Sequence, residues 1–194
     1  MSFKDKALHR IGQMEDAPTQ YLGMFDHLDV ALRNLDEHLD ADGWNTMDVT
    51  YHPPHVERLW KDIQSLGEPV RLFLHRIHPC EPGEALWHPH PWPSAVKLID
   101  GEYEHGVGFK AVHEGGESLN TACTTVLTKG ARYEMVEPTA WHYVRPLKVS
   151  HTVMVCGAPY KYPIGFPKPE APQGPLDPAT IIDLKTFFEG AYDD

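Results

Sequence analysis

The sequence is short of cysteine and of long apolar runs, and each shortage excludes a class of protein. It has three cysteines, none of them in a CxxC pair, and no secretory apolar segment at its N-terminus. An odd set of cysteines without a leader is typical of a reduced protein, so we expect a cytoplasmic location. No apolar run approaches the roughly 20 residues that span a bilayer, and we expect no membrane partner.

Basic residues are scarce as well. The chain has 17 Lys and Arg against 28 Asp and Glu, which gives a formal net charge of −11. Such an acidic chain repels nucleic-acid phosphates and anionic membrane surfaces, so neither is expected as a partner. A small anionic ligand remains compatible with this balance, because the local field inside a pocket can differ from the net charge.

The length and the apolar content are sufficient for one hydrophobic core. The chain has 194 residues, of which 41% are hydrophobic, so a single domain with terminal decorations is expected. We divide it into an N-terminal helical decoration over residues 1–69, a β-rich barrel over 70–157, and a proline-rich strap with a C-terminal helix over 158–194. Within the first part, the polar residues 1–18 are predicted to form a loosely held arm.

Helical patterns occur only near the two ends of the chain. Apolar residues recur at three- and four-residue spacing over 19–39, which predicts an amphipathic helix. A second helix is predicted from Pro53-Pro54 to Ser65, with proline in its first turn. A short final helix is predicted to begin after Asp177, which can cap it, with Pro178 at its first position.

The residue pattern in the middle of the chain is typical of short strands. Strands are predicted at 70–78, 95–100, 103–109, 123–128, 133–136, 140–144 and 150–156. The Asp100-Gly101 pair between two of them predicts a β-hairpin. Short strands separated by turns, with helices at the ends, indicate a mainly β, antiparallel barrel or sandwich. A small barrel encloses a cavity that can hold one ligand.

Two histidines stand two residues apart in the segment His88-Pro89-His90-Pro91. Each precedes a proline, which favours extended backbone, and alternate side chains of extended chain point to the same side. Neutral imidazole is the commonest protein ligand for transition metals, so the pair is interpreted as half of a metal site. The alternative is a rigid, exposed loop without metal, because proline is disfavoured inside central strands. The best third ligand is His142, just after a turn in a predicted strand.

Together these segments resemble the cupin superfamily over residues 70–157. The first cupin motif is matched by Gly83, His88, His90 and Gly101, with one residue fewer than usual before the histidine pair. The second motif is matched by Gly130, Pro138 and His142, with Ala140 at the place of its second glycine. The resemblance implies an antiparallel jelly-roll β-barrel with N-terminal helices and a short C-terminal helix. It also implies one divalent metal ion at His88, His90 and His142.

The most informative departure from the motif is Ser94, which stands where cupins usually carry a glutamate ligand. Three neutral histidines are similar to the ligand set of thiol dioxygenases of the cysteine dioxygenase type, and of certain diketone and gentisate dioxygenases. The resemblance implies a mononuclear non-haem Fe(II) dioxygenase that acts on a small anionic substrate together with O2. The serine–histidine–tyrosine relay of cysteine dioxygenase is not evident, since Thr152, Met154 and Cys156 occupy the strand where it is expected.

Other functions fit the same ligands. Three imidazoles and a water are also a catalytic zinc pattern that suits hydrolysis or lyase chemistry, and nickel or manganese are further candidates. If Glu102, Glu104 or His105 reached the metal, the site would resemble cupin sugar isomerases. A cupin that binds a small molecule without turnover is a third possibility. A homodimer is expected by analogy with cupins alone.

Arginines and tyrosines near the predicted site are candidate substrate-binding groups. Arg71 and Arg76 lie on opposite faces of the predicted strand 70–78, and either could hold a substrate carboxylate bidentately. A salt bridge at the barrel rim is the alternative for each. Tyr103, Tyr133 and Tyr143 are possible acids or hydrogen-bond donors. We take Arg76 and Tyr103 as the candidate catalytic residues.

Overall fold

The computed structural model describes residues 23–113, 116–161 and 173–191. In these residues the helices are α1 (Met24–Arg33), α2 (Leu35–Asp40) and α3 (Pro178–Gly190). The strands are β1 (Asn45–Val49), β2 (Val56–Ser65), β3 (Glu68–Ile77), β4 (His88–Pro89), β5 (Ser94–Asp100), β6 (Glu102–His113), β7 (Gly116–Thr128), β8 (Arg132–Met135), β9 (Ala140–Pro146) and β10 (Ser150–Cys156). None of the described helices is long and apolar enough to cross a bilayer.

The strands form two antiparallel sheets. The six-stranded sheet has the order β1-β2-β3-β10-β5-β8, and the four-stranded sheet has the order β4-β9-β6-β7. No hydrogen-bonded strand pair joins the two sheets within the described ranges. Because both sheets are antiparallel and helices lie only near the chain ends, the predicted mainly β, jelly-roll fold class is confirmed.

The helices cover the outer face of the six-stranded sheet. Leu28 of α1 and Leu184 of α3 belong to the same buried cluster as Leu72 and Leu74 of β3 and Val153 of β10. Side chains on the other face of β3, such as Phe73 and His75, point toward the second sheet instead. The six-stranded sheet therefore separates the hydrophobic core on its outer face from a cavity on its inner face.

The predicted end helices are confirmed where the structure describes them. The N-terminal helical region breaks at Asn34 into α1 and α2. Residues 1–22, which include the predicted arm and the first predicted helical turn, lie outside the described residues. At the other end, the Asp177 carboxylate accepts hydrogen bonds from the backbone N–H groups of Ala179 and Thr180, so α3 is capped as predicted. Most of the predicted proline-rich strap also lies outside the described residues, and the division of the chain into three parts stays a prediction.

The predicted helix from Pro53 to Ser65 is wrong, because this segment forms strand β2. Buried residues alternate along it at Leu59, Lys61, Ile63 and Ser65, which is the two-residue period of a strand. Lys61 can be buried because its ammonium group donates hydrogen bonds to three backbone carbonyls near the end of α2. A lysine on the buried face obscures the two-residue period in the sequence.

The predicted hairpin at Asp100-Gly101 is also wrong. The strands on either side of it, β5 and β6, belong to different sheets, so the turn leads the chain from one sheet to the other. Gly101 has a φ of 98°, and a Cβ atom there would lie 2.5 Å from the Ser150 Oγ and from the Val149 carbonyl oxygen. The glycine is required both by the left-handed backbone and by this close approach.

Candidate metal centre

The pairing of β4 with β9 brings the three histidines together. His88 and His142 are directly opposite each other in these antiparallel strands, and His90 follows two residues after His88. The strand β4 lies at the edge of its sheet, which is where proline is tolerated in a strand. The prolines that suggested an exposed loop are therefore compatible with a strand that presents both histidines.

The three rings meet through their Nε2 atoms. The Nε2 of His142 lies 3.1 Å from the Nε2 of His88 and 2.9 Å from the Nε2 of His90. Each Nδ1 faces away and has its own partner. His88 Nδ1 lies 3.0 Å from the Leu86 carbonyl oxygen, His90 Nδ1 lies 2.8 Å from Ser94 Oγ, and His142 Nδ1 lies 3.0 Å from His105 Nε2. All three Nε2 atoms are therefore available to one central ion.

The protonation of the rings suits a cation. The Leu86 carbonyl can only accept, so His88 carries its proton on Nδ1 and has a lone pair on Nε2. Burial lowers the pKa of His88 to about 4, and it lowers the pKa of His90 and of His142 well below 6.5. At neutral pH the three rings are uncharged, and each can direct a lone pair from Nε2 toward a central cation when its proton is on Nδ1.

The distances between the nitrogen atoms also fit a metal ion. For metal–nitrogen bonds of about 2.1 Å, two ligands at a right angle are about 3.0 Å apart, whereas tetrahedral ligands are about 3.4 Å apart. The observed 2.9 and 3.1 Å match the right-angle spacing. The Nε2 of His142 and the Nε2 of each neighbouring histidine therefore have the spacing of adjacent ligands of one divalent ion.

Ser94 supports a ligand and is not one itself. Its side chain is fully buried, and its Oγ lies 2.8 Å from His90 Nδ1, on the side of the ring that faces away from the centre. A hydrogen bond of this kind fixes the orientation of a metal-binding imidazole. Within the described residues, the cluster that could hold a metal contains histidines only, without a carboxylate.

His105 plays the same part behind His142. It is buried, its Nε2 lies 3.0 Å from His142 Nδ1, and its ring lies against Tyr133 at 4.2 Å between centroids. Burial lowers the pKa of His105 to about 4, so this partner is neutral at pH 7. Its contact is with the rear of His142, and it does not reach the centre. The three histidine ligands and His105 are all uncharged, so none of them would neutralise the charge of a bound ion.

The acidic residues considered as alternative ligands point elsewhere. The Glu104 carboxylate accepts hydrogen bonds from Tyr143 and Arg145. Glu102 forms an ion pair with Lys148 at 3.2 Å. The isomerase-like ligand set that these residues would complete is not assembled around the three histidines.

The three histidines line a cavity of about 420 Å³ between the two sheets, a volume suited to a small molecule. Its walls are mainly apolar and aromatic and include Tyr51, Phe73, Trp92, Val96, Tyr133 and Met154. No acidic residue is among the described residues that line it. Burial raises the pKa of Tyr133 to about 12, so its hydroxyl group remains protonated at neutral pH.

One arginine, Arg58 of β2, also lines the cavity. Its Nε donates a hydrogen bond to His75 Nε2 at 3.1 Å, and His75 Nδ1 lies 3.1 Å from Thr152 Oγ1. Because a guanidinium group only donates, His75 accepts at Nε2 and carries its proton on Nδ1. Sequence reasoning did not find Arg58, since it assigned this segment to a helix. The signal that could have found it is the two-residue alternation of β2.

The two residues taken as catalytic candidates lie outside the cavity. Arg76 forms ion pairs with Glu57 and Asp183, and Tyr103 is fully buried on β6. Arg71, the other arginine considered, pairs with Asp62 at 2.7 Å. The structure does not bring Arg76 or Tyr103 to the histidine cluster, and their catalytic roles stay untested predictions.

No protein-family model matches the sequence, and no curated protein matches it. Solved structures do match. They include the hydroxypropylphosphonic acid epoxidase from S. wedmorenis (15% identity, TM-score 0.41, 60% of this chain and 56% of that chain). An RmlC-like cupin from Shewanella frigidimarina matches at 13% identity and a TM-score of 0.42, over 62% of this chain and 90% of that chain. KdgF from Halomonas sp. matches at 12% identity and a TM-score of 0.39, over 60% of this chain and 89% of that chain. This chain spans little more than half the length of the epoxidase.

Proposed function

We propose that this chain is a metal-dependent cupin enzyme, a mononuclear non-haem iron dioxygenase that acts on a small anionic substrate together with O2. The observation that carries the proposal is the convergence of three histidine Nε2 atoms at the wall of a cavity, with His142 Nε2 lying 2.9 Å from that of His90 and 3.1 Å from that of His88. His88, His90 and His142 would hold the iron. When bound, ferrous iron supplies neighbouring coordination positions at which substrate and oxygen can meet.

The charge of the site favours an anionic substrate. The three ligands are neutral, His105 and Ser94 behind them are uncharged, and no described residue of the cavity wall is acidic. A divalent ion held in this way keeps its full charge inside a largely apolar cavity. An anion that enters the cavity is attracted more strongly there than in water, because the surroundings screen the interaction less.

The protein's own groups hold the ligands in place and surround them with apolar side chains. The Leu86 carbonyl, Ser94 and His105 each bind the Nδ1 of one ligand, which fixes its tautomer and orientation. Aromatic and aliphatic side chains form most of the remaining wall, so the surroundings of the reacting groups are less polar than water. Tyr133 contributes a hydroxyl group that stays protonated and can donate a hydrogen bond inside this wall.

The proposal can be tested with protein reconstituted without oxygen. Separate samples loaded with Fe(II), Mn(II), Ni(II) and Zn(II) would be screened for oxygen uptake with small thiols, diketones and aromatic acids. We expect uptake only with iron, and incorporation of oxygen from labelled O2 into the product. His142→Ala should abolish turnover, whereas His55→Ala, which removes a histidine paired with Asp48, should retain it. Equal turnover under strict anaerobiosis, or with zinc in place of iron, would contradict the proposal.

A further inference from the structure

We infer that the guanidinium end of Arg58 is a binding site for the carboxylate group of a small substrate with an apolar body. The site lies in the same cavity as the three-histidine centre. This inference deepens the proposed function by naming the substrate class. It rests on that function for the reaction that the bound substrate then undergoes at the metal. It does not require the bound metal to be iron.

Arg58 differs from other arginines of the chain in its partners. Among the described residues, four arginines each form an ion pair with a carboxylate: Arg71, Arg76, Arg132 and Arg145. Arg58 forms none. Its partner is the imidazole of His75, which it contacts through Nε. The two terminal nitrogens, Nη1 and Nη2, make no described hydrogen bond, and they are the part of the group that binds a carboxylate in a bidentate manner.

The charge of Arg58 is therefore not compensated by the described part of the chain. His75 is neutral, because burial and the neighbouring guanidinium lower its pKa well below 6.5. The Arg58 guanidinium carbon lies 5.4 Å from the centroid of the Phe73 ring, a contact that offsets only part of the cost of burying a cation. Burial lowers the pKa of Arg58, but an arginine side chain stays charged at neutral pH. A half-buried cation in the wall of a largely apolar cavity is stabilised when an anion joins it.

The side chain is also held in one orientation. Arg58, His75 and Thr152 are directly opposite one another on the neighbouring strands β2, β3 and β10. The hydrogen bonds run in sequence from Arg58 Nε to His75 and from His75 Nδ1 to Thr152 Oγ1. A group fixed by a row of residues on three paired strands loses little conformational entropy when it binds a ligand. This arrangement is that of a preformed site.

The cavity restricts what the rest of the ligand can be. It has a volume of about 420 Å³, which admits a small molecule and not a polymer. Phe73, Trp92 and Met154 line it, and none of its described lining residues is acidic. An apolar body would lie along these side chains, with the carboxylate at Arg58 and the other end near the histidine cluster. A carboxylic acid should therefore bind better than its neutral amide.

The experiment uses hexanoate and hexanamide as probes, which have nearly the same shape and differ in charge. Their binding to the full chain would be measured by calorimetry, with and without bound metal. In the metal-free wild type we expect hexanoate to bind at least tenfold more tightly than hexanamide. Arg58→Met should abolish this preference, and Arg58→Lys, which keeps the charge without the planar fork, should retain part of it. Arg71→Met, which removes an arginine already paired with Asp62, should retain the full preference.

Thermal unfolding gives a second measurement. Arg58→Met also removes the donor of the hydrogen bond to the buried His75, so its metal-free form should unfold at a lower temperature than the wild type. Hexanoate should raise the unfolding temperature of the wild type and not that of Arg58→Met. Equal binding of the two probes by the wild type, or an undiminished preference in Arg58→Met, would overturn the inference, and the wild-type comparison decides it if Arg58→Met does not fold. The metal-free measurements are independent of the proposed dioxygenase activity. Absence of oxygen uptake with a preserved carboxylate preference would overturn the proposed function and leave the Arg58 site standing.

Discussion

Replacement of Ser94 by alanine tests whether the residue at the usual glutamate position supports the metal centre. The Ser94 Oγ lies 2.8 Å from His90 Nδ1, and the serine side chain is fully buried. The substitution removes the hydroxyl group without inserting anything in its place. His90 then has a buried ring nitrogen without its partner, and nothing fixes the orientation in which Nε2 faces the centre.

The expected magnitude follows from two independent estimates. Leaving a buried hydrogen-bonding group without a partner costs about 1–3 kcal/mol. Loss of a group that supports a metal-binding histidine weakens metal affinity about 10–100-fold, which corresponds to about 1.4–2.8 kcal/mol. The first estimate concerns the stability of the metal-free fold and the second the metal affinity, so we expect Ser94→Ala to be less stable and to bind a divalent metal about 10–100-fold more weakly.

The chain provides a matched control in Ser65. Its Oγ lies 3.0 Å from His27 Nδ1, and both residues are buried, but neither belongs to the histidine cluster. Ser65→Ala should destabilise the metal-free fold by a similar amount, measured by urea unfolding. Its metal affinity should equal that of the wild type. The affinities would be measured by competition between protein and chelator for Co(II).

Unchanged Co(II) affinity in Ser94→Ala would refute the reasoning. Equal weakening in both variants would refute it as well, because the effect would then reflect general loss of stability. A gain in affinity in Ser94→Glu would show that a carboxylate at this position can reach the metal. We expect no such gain, because the Ser94 side chain points toward the rear of His90.

Three further predictions concern other parts of the structure. His105→Phe removes the partner 3.0 Å from His142 Nδ1 and should weaken Co(II) binding about 10–100-fold, whereas His105→Gln, which keeps an acceptor, should restore most of it. Burial lowers the pKa of His151 to about 4, so its contribution to stability should be full above about pH 6.5 and should be lost toward pH 4 at up to about 1.4 kcal/mol per unit, in addition to the contributions of the other buried histidines. His151→Phe should make this part of the profile less steep, by that one contribution, in urea titrations of metal-free protein. Arg76→Met should lower the urea midpoint with little change in oxygen uptake, because Arg76 pairs with two carboxylates outside the cavity; loss of turnover in a folded variant would support its predicted catalytic role.

The histidine cluster could be predicted because its signals are local. His88 and His90 are two residues apart in a chain that proline keeps extended, so they share a side whatever the rest of the fold does. Ser94 is identified as a departure at a fixed distance after them. The pairing of His88 with His142 is different, because the two residues are far apart in sequence. Residue spacing does not determine such a register, so the sequence named His142 only as the best candidate, from its place in a predicted strand and from the family resemblance.

Strand β2 shows why the rest could not be predicted. Val56, Leu59, Trp60 and Ile63 have the spacing of a helix, while the burial in the structure alternates with a period of two. The buried face of the strand contains Lys61, whose charge is satisfied by backbone carbonyls of a distant segment. The opposite face contains Arg58, which lines the cavity. Both charged residues are placed by tertiary contacts, which the residue pattern does not show. For this reason neither the strand nor the candidate anion site on it could be predicted from the sequence.

The histidine cluster as a metal centre is tested most directly by anaerobic equilibrium dialysis of metal-free protein against Fe(II). We predict that the wild type binds one ion per chain and that His142→Ala, which removes the ring whose Nε2 contacts the other two, loses this site. A wild type that binds no ion, or a His142→Ala variant that binds one with unchanged affinity, would contradict the metal centre.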